Sequence, residues 1–282
     1  MTTLVNRNSR AIIISNLMKG VCVGCAAVIV TTLVLITGYL VVIGLHSLSW
    51  SIFTNLPDDN PPGMLNSIEG TVILVLLASA VGIPVGMLAG VYLSEYDANS
   101  WLAAPVRFVS DVLAGVPSIV VGILGYELLV VPFGGYSGWA GAMALAFIMV
   151  PIVARTTEEM LRLVPGSYRE AAIALGATKA RTILGIVIPS ATGSLVTGSM
   201  LAVARVAGET APLLFTAAGW KYIVHNPSKQ FPSLTLRIYE LSNDPSPAAR
   251  AQAWSGILVL VALIFVVNLS VRFFTRSRHA AR

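Results

Sequence analysis

Charge is the scarcest ingredient of this 282-residue sequence: Asp, Glu, Lys and Arg together make up 11% of it, against 56% hydrophobic residues. A water-facing domain carries roughly 25% charge. With half that amount most of the surface has to face lipid, and no stretch is left over for a sizeable soluble core. Cysteine is almost absent. The two present, Cys22 and Cys25, lie inside an apolar run with no second pair and no histidine beside them, so they read as small helix residues rather than a zinc or redox site. The three histidines, His46, His225 and His279, are scattered. There is no G-x4-G-K-[ST], no H-E-x-x-H and no nucleophile elbow, so neither P-loop nucleotide binding nor a familiar hydrolase site is encoded. The net charge of +5 falls between apolar runs, not in basic stripes with interleaved aromatics, which excludes a nucleic-acid partner.

What the chain has is apolar length. A spanning helix needs ~20 apolar residues. Six stretches are predicted to span: Val21–Leu45, Gly70–Leu93, Phe108–Val131, Gly138–Val153, Ile183–Ala204 and Trp254–Phe274. The fourth is short, and its helix is expected to continue through Arg155 toward Pro165. Val21–Leu45 is longer than a signal-peptide core and lacks a good cleavage site, so it is read as an uncleaved first span. Trp50, Trp101, Trp139, Trp220 and Trp254 sit near span ends, as interfacial belts do.

Basic residues set the orientation. Thirteen Lys and Arg fall in the N-terminus, second loop, fourth loop and C-terminus, against four in the other set of connections. The positive-inside rule then places both termini and the fourth loop in the cytoplasm of a multi-pass plasma-membrane protein. The long fifth loop, Trp220–Arg250, is expected to form a re-entrant or short external element.

The fourth loop carries the clearest motif. It reads Glu170-Ala171-Ala172, then Gly176, then, after nine residues, Ile186-Val-Ile-Pro189. Ser167–Leu175 reads as a short helix with Ser167 as cap, Glu170 at the capping-box position and Gly176 as a left-handed terminator. A second short basic helix is expected over Thr178–Leu184. Such a helix–turn–helix offers a small-residue surface that another protein can approach closely. A second motif is Ala204-Arg-Val-Ala-Gly-Glu-Thr-Ala-Pro-Leu-Leu-Phe215, in which Arg205 and Glu209 are i,i+4 neighbours. Ionisable groups in a span face a pathway or one another, and both readings of this pair are open. Gly208 and Pro212 are expected to loosen the helix there, as in transporters. Asp111 and Glu127, at opposite ends of the third span, are read as interfacial.

The fourth loop resembles the EAA loop of ABC importer permeases, E-A-A-x3-G-x9-I-x-L-P, departing only at Ile188. The Arg205–Pro212 run resembles the A-R-x-x-G-E-T-A-P-L-L signature of the PstA-type permeases of phosphate importers. Gly115-Val-Pro-Ser-Ile-Val-Val-Gly122 and Pro151-Ile-Val-Ala-Arg-Thr-Thr-Glu-Glu-Met-Leu161 fit the same family. The resemblance covers about residues 65 to 275 and implies an all-α membrane protein of six transmembrane helices with the type I ABC importer permease (MetI-like) fold. It implies three segments. Residues 1–66 hold an N-terminal cytoplasmic segment, the first span and an external loop. Residues 67–275 form the five-span permease domain with its coupling loop, and 276–282 a cytoplasmic tail.

The resemblance further implies a non-catalytic subunit that forms half of a phosphate path. Arg155, Arg205, Glu209 and Thr210 would lie on that path, and Glu170, Ala171, Ala172 and Gly176 would couple to the ATPase. Implied partners are a PstC-type permease, two PstB-type ATPases that bind ATP and Mg, an external PstS-type phosphate-binding protein, phosphate and membrane lipid. This chain itself would hold no cofactor and no metal. Arg suits phosphate because its planar fork stays charged and offers paired donors. Arg155 can alternatively be an interface-snorkelling charge. Glu209 can either hold Arg205 in place or accept the proton of hydrogen phosphate, and the first role is favoured because an i,i+4 partner is already in reach. Two rival functions differ in class. A permease for sulfate or molybdate is disfavoured by Gly208-Glu-Thr-Ala-Pro212, and an ATP-independent carrier or membrane enzyme by the EAA loop and the lack of a catalytic cluster.

Overall fold

The computed structural model describes residues 2–96, 101 and 103–280, and at 2–10, 272 and 274–280 the backbone alone. The last two residues of the expected tail and the side chains of Arg7 and Arg10 lie outside what is described. In chain order the helices are α1 (Thr2–His46), α2 (Ser51–Thr54), α3 (Leu65–Val91), α4 (Ala103–Gly115), α5 (Ser118–Gly125), α6 (Val131–Phe133), α7 (Gly138–Arg162), α8 (Gly166–Ala174), α9 (Lys179–Thr182), α10 (Ile188–Ala207), α11 (Ala211–Thr216), α12 (Leu234–Asn243) and α13 (Pro247–Ala280). Three π-helical turns, Tyr92–Tyr96, Tyr126–Val130 and Ile183–Val187, extend α3, α5 and α9 at their C-terminal ends. Among the described residues there is no strand, only one isolated bridge between Ala218 and Phe231.

Five helices are long and apolar enough to cross a membrane, and a bent pair makes the sixth. That pair is where the sequence expectation fails. Phe108–Val131 is not one straight helix: α4 and the helix from Ser118 to Phe133 meet at 103°. The cause is Pro117, which lacks an N–H and holds an extended backbone (φ −57, ψ 132) ahead of α5. The residue before a proline is also pushed away from helical geometry.

α1 is longer than its apolar run because no proline occurs before Pro57 and nothing else breaks the helix. An 18-residue apolar window of it has no buried residue in this chain. Near its second end it meets α13, where Tyr39 stands edge-on to Trp254 at 5.4 Å and Gly44 packs on Leu258.

The pair α3 and α7 forms the centre and runs parallel, with Gly82, Gly86 and Gly90 of α3 meeting Met149, Val153 and Thr157 of α7 in turn. A small-residue stripe on α3 lets the backbones close up, as small-xxx-small motifs do in membranes. A Cβ at Gly86 would stand 2.7 Å from Val153 Cβ, and one at Gly90 would stand 2.5 Å from the Ala154 carbonyl oxygen. Leu74 and Ala78 of α3, Leu145, Met149 and Val153 of α7, and Ala202 and Val206 of α10 fill the shared core. The long fifth loop does fold as a short element. Phe231 and Leu234 are fully buried, Ser233 caps α12 by accepting from Leu236 N–H, and Thr71 Oγ1 of α3 accepts from Leu234 N–H at 2.7 Å.

Candidate functional site

The segment between α7 and α10 forms at one end of the bundle. α8 starts at Gly166, with Pro165 at the cap position and no side-chain cap bond. Ser167 is therefore not the cap and Glu170 is not part of a capping box. Proline, with its φ of −57 and no N–H to satisfy, sets the start instead. The predicted stop is present. Gly176 has φ +83. Its N–H donates to Ile173 O and the Ala177 N–H donates to Ala172 O. Those are the two bonds of a Schellman termination. Thr178 then caps α9 by accepting from Arg181 N–H.

Glu170, Ala171 and Gly176 are exposed, whereas Ala172 is buried and packs the loop inward. Sequence reasoning passed over the apolar groups beside them: Tyr168, Ile173 and Leu175 are exposed, Leu175 by 89%. These three leave apolar side chains exposed around α8.

Arg169, on the same helix, is bound on all sides. Its Nε donates to Glu95 Oε2 at 2.9 Å and its Nη2 to Glu95 Oε1. Its remaining donors reach Val164 O and Leu161 O at the end of α7. The hydrogen bond to Glu95 pushes the Arg169 pKa above its ordinary value, so the guanidinium stays charged throughout the physiological range.

Inside α7 two adjacent carboxylates point different ways, since neighbours on a helix are not on one face. Glu158, 3% exposed, accepts from Arg107 Nε at 2.7 Å and from Arg162 Nη2. Glu159 turns to the open side and accepts from Arg155 Nε at 2.8 Å. Arg155 Nη1 also stands 3.5 Å from Asp111 Oδ1 of α4. Asp111 is thus the partner of a candidate pathway arginine, and an interfacial reading of it is incomplete. Arg155 is half exposed in this chain.

Arg205 lies in the last turn of α10, also half exposed, with Nε 3.9 Å from Glu209 Oε1. That separation is an ion pair but is too long for a hydrogen bond. α10 ends at Ala207 and α11 begins at Ala211, so the helix does break across Gly208–Thr210 as expected. Thr210 occupies the cap position of α11 without a side-chain cap bond. The Glu209 carbonyl accepts from Thr235 Oγ1 at 3.1 Å. α11 packs on α5, and there the Gly115–Gly122 and Ala204–Phe215 runs meet: a Cβ on Gly122 would come within 3.0 Å of the Ala211 carbonyl oxygen. Gly198 of α10 packs against Thr156 of α7, which fixes the relative heights. Arg155 lies near the level of Gly198, and Arg205 is seven residues, ~10 Å, farther along α10. The two arginines therefore form successive levels, not one cluster. Among the described residues no group of three or more His, Cys, Asp and Glu could hold a metal ion.

Comparison with known proteins identifies the family and the fold. The chain is 40% identical over 240 residues to the phosphate transport system permease protein PstA of Yersinia pestis, covering 84% of this chain and 81% of that one. It is 44% identical over 232 residues to the protein of that name from Xylella fastidiosa strain 9a5c, covering 81% of each. The probable phosphate transport system permease protein PstA of Methanocaldococcus jannaschii is 37% identical over 212 residues, 75% of each chain. In fold, the chain matches the inward-facing MetNI methionine ABC transporter with a TM-score of 0.61 at 19% identity, over 82% of this chain and 99% of that one. It matches an amino acid ABC transporter solved with histidines at 0.53 and 21% identity, over 76% and 93%. The architecture is thus the type I, MetI-like permease fold. Residues 82–279 match the model of the binding-protein-dependent transport system inner membrane components, and the chain belongs to that family.

Proposed function

We propose that this chain is a permease subunit of an ATP-driven phosphate importer, forming half of the translocation path and docking an ATPase through α8. The observation that carries the reading is identity of 37–44% to phosphate permeases over three quarters or more of each chain. Both signature runs fall inside one packed unit, with Gly122 seated on Ala211.

In this reading the α8 end of the bundle faces the cytoplasm, as the excess of Lys and Arg there requires, and both termini lie on that side. Tyr168, Ile173 and Leu175 enter a cleft of a PstB-type ATPase, with Glu170, Ala171 and Gly176 at the contact and Ala172 holding the helix to the bundle. Two such ATPases bind ATP and Mg. A PstC-type permease completes the path, and a PstS-type protein delivers phosphate at the outer end. The chain makes and breaks no covalent bond.

Along the path, Arg205 is met first and Arg155 second. Each already has carboxylate company: Glu209 for Arg205, and Glu159 with Asp111 for Arg155. A passing phosphate exchanges one anionic partner for another, so neither arginine is left as a bare charge, which is the expensive state. The 3.9 Å Arg205–Glu209 pair is the looser one and yields its guanidinium fork most readily to two phosphate oxygens. Glu209 then re-engages Arg205 between passages, and Thr210 offers a hydroxyl at the same break.

The test is uptake by the complete complex in vesicles, with arsenate and sulfate as competitors. ATP-dependent phosphate uptake, inhibited by arsenate and indifferent to sulfate, is expected. Sulfate competing as strongly as arsenate overturns the substrate assignment.

A further inference from the structure

The π-helical turn Tyr92–Tyr96, which closes α3, receives cations from three separate elements. From α8, Arg169 grips both oxygens of Glu95, a side chain only 5% exposed. From α4, Arg107 Nη2 donates to Leu93 O at 3.0 Å. From α9, Lys179 Nζ donates to Tyr96 O at 3.3 Å and stands 5.1 Å over the Tyr96 ring. A helix C-terminus carries unpaired carbonyls and a partial negative charge, so cations belong there. The arrangement here is specific beyond that rule. Both arms of the α8–α9 hairpin are fastened to the same turn of α3, 74 and 83 residues away in sequence.

The chain itself does not provide this link. α8 is joined covalently to α7 through 163–165, and α9 to α10 through the turn Ile183–Val187. A push on α8 reaches those two helices along the backbone. It reaches α3 at this end of the bundle through Arg169 and Lys179. Arg169 also holds Leu161 O and Val164 O at the end of α7, so a single guanidinium ties three helix ends together. Beyond the junction α3 and α7 are in close contact through Gly90, Ala154 and Thr157.

We propose that Glu95 and Arg169 are positioning residues of the transport cycle, making α8, the end of α7 and the end of α3 one rigid body, so that α3 follows the ATPase-driven motion of the loop. This rests on the reading of α8 as the ATPase contact. Without the pair the loop still docks and ATP is still hydrolysed, but α3 lags and substrate does not move in step.

The experiment uses the full complex in vesicles with Glu95→Gln, Arg169→Gln and Arg169→Lys. Phosphate taken up per ATP hydrolysed is expected to fall roughly two- to thirtyfold in the first two, the range of ordinary coupling effects. Arg169→Lys, which keeps charge but loses the fork, falls between them and wild type. An unchanged ratio in Glu95→Gln and Arg169→Gln overturns the proposal, as does loss of uptake and hydrolysis in constant proportion, which is what a merely structural role gives. A second readout needs no transported substrate. Spin labels at Leu88→Cys on α3 and Ser167→Cys on α8, both exposed positions, are placed in a chain whose Cys22 and Cys25 are serine. Their separation is expected to stay fixed on adding ATP to the otherwise wild-type complex and to shift when Glu95→Gln is added. A shift in the otherwise wild-type complex overturns the rigid body. A complex that moves no phosphate yet keeps the fixed separation overturns the substrate reading and leaves the junction standing.

Discussion

Gly176→Ala isolates one term in the docking loop. The glycine has φ +83, and a Cβ built on it meets nothing within 4 Å, so no clash contributes. What remains is the intrinsic penalty of an L-residue in the left-handed region, about 1–2 kcal/mol. If the Schellman turn must form before the ATPase can dock, its population divides the apparent affinity. A penalty of that size weakens docking about 5- to 30-fold. The assay titrates purified ATPase subunit onto the permease pair in vesicles and reads the concentration giving half-maximal uptake. Gly176→Val is expected to be worse, because a β-branched residue is a genuine outlier at positive φ. Gly176→Asn is expected to be mildest. Gly166→Ala, in the first position of the same helix and with open space around it, is the control and should leave the titration unchanged. Wild-type titrations for both Gly176→Ala and Gly176→Val would refute the idea that this backbone turn governs docking.

Four further outcomes are expected. Arg205→Gln should assemble normally, because the side chain is half exposed and its ion pair is long, yet lose roughly 10- to 100-fold in uptake, the worth of one charged hydrogen-bonding contact; wild-type uptake by a well-expressed variant ends the pathway role. Glu158→Ala should destabilise the detergent-solubilised complex by about 3 kcal/mol, since a buried carboxylate with two arginine partners is lost, and an unchanged thermal midpoint would contradict the role of that cluster. Gly122→Val should cost about 1–3 kcal/mol through overpacking against α11, while Gly122→Ala costs less; equal stability of all three proteins would show that the two motifs do not depend on this contact. Leu175→Cys, in a chain without Cys22 and Cys25, should react with a membrane-impermeant maleimide in inside-out vesicles and be protected by the ATPase subunit, whereas labelling in right-side-out vesicles reverses the proposed orientation.

The elements that depend on composition along the chain were legible. The apolar run Val21–Leu45 is a helix because nothing in it offers an alternative, and Gly176 ends α8 because its missing Cβ permits the turn. Local signals misled where two competed. Ser167 has cap chemistry, but Pro165 lies two residues earlier and its fixed φ starts the helix first. In Phe108–Val131 the count of apolar residues outweighed Pro117, and the proline decided the geometry. Long-range partners left no trace that one sequence can show. Glu158 finds Arg107 across 51 positions and Glu95 finds Arg169 across 74. Asp111 became more than an interfacial charge only once the bend set α4 beside Arg155. The adjacent acids Glu158 and Glu159, just past the apolar run Gly138–Val153 and flanked by Arg155 and Arg162, were the available hint, since carboxylates beside a span require cations nearby.

The bend at Pro117 also bears on hydration. A backbone that turns by 103° within a span leaves helical hydrogen bonding interrupted, and lipid cannot replace it. Irregular backbone at membrane depth persists only where protein covers it or water reaches it. Where water rather than a partner protein covers the corner, it raises the local dielectric around the half-exposed Asp111 and Arg155. There their Coulomb attraction drops from the many kcal/mol of a dry interior toward about 1 kcal/mol at contact distance. In that case the proline that makes the bend is also what lets the Asp111–Arg155 pair open to a passing ion.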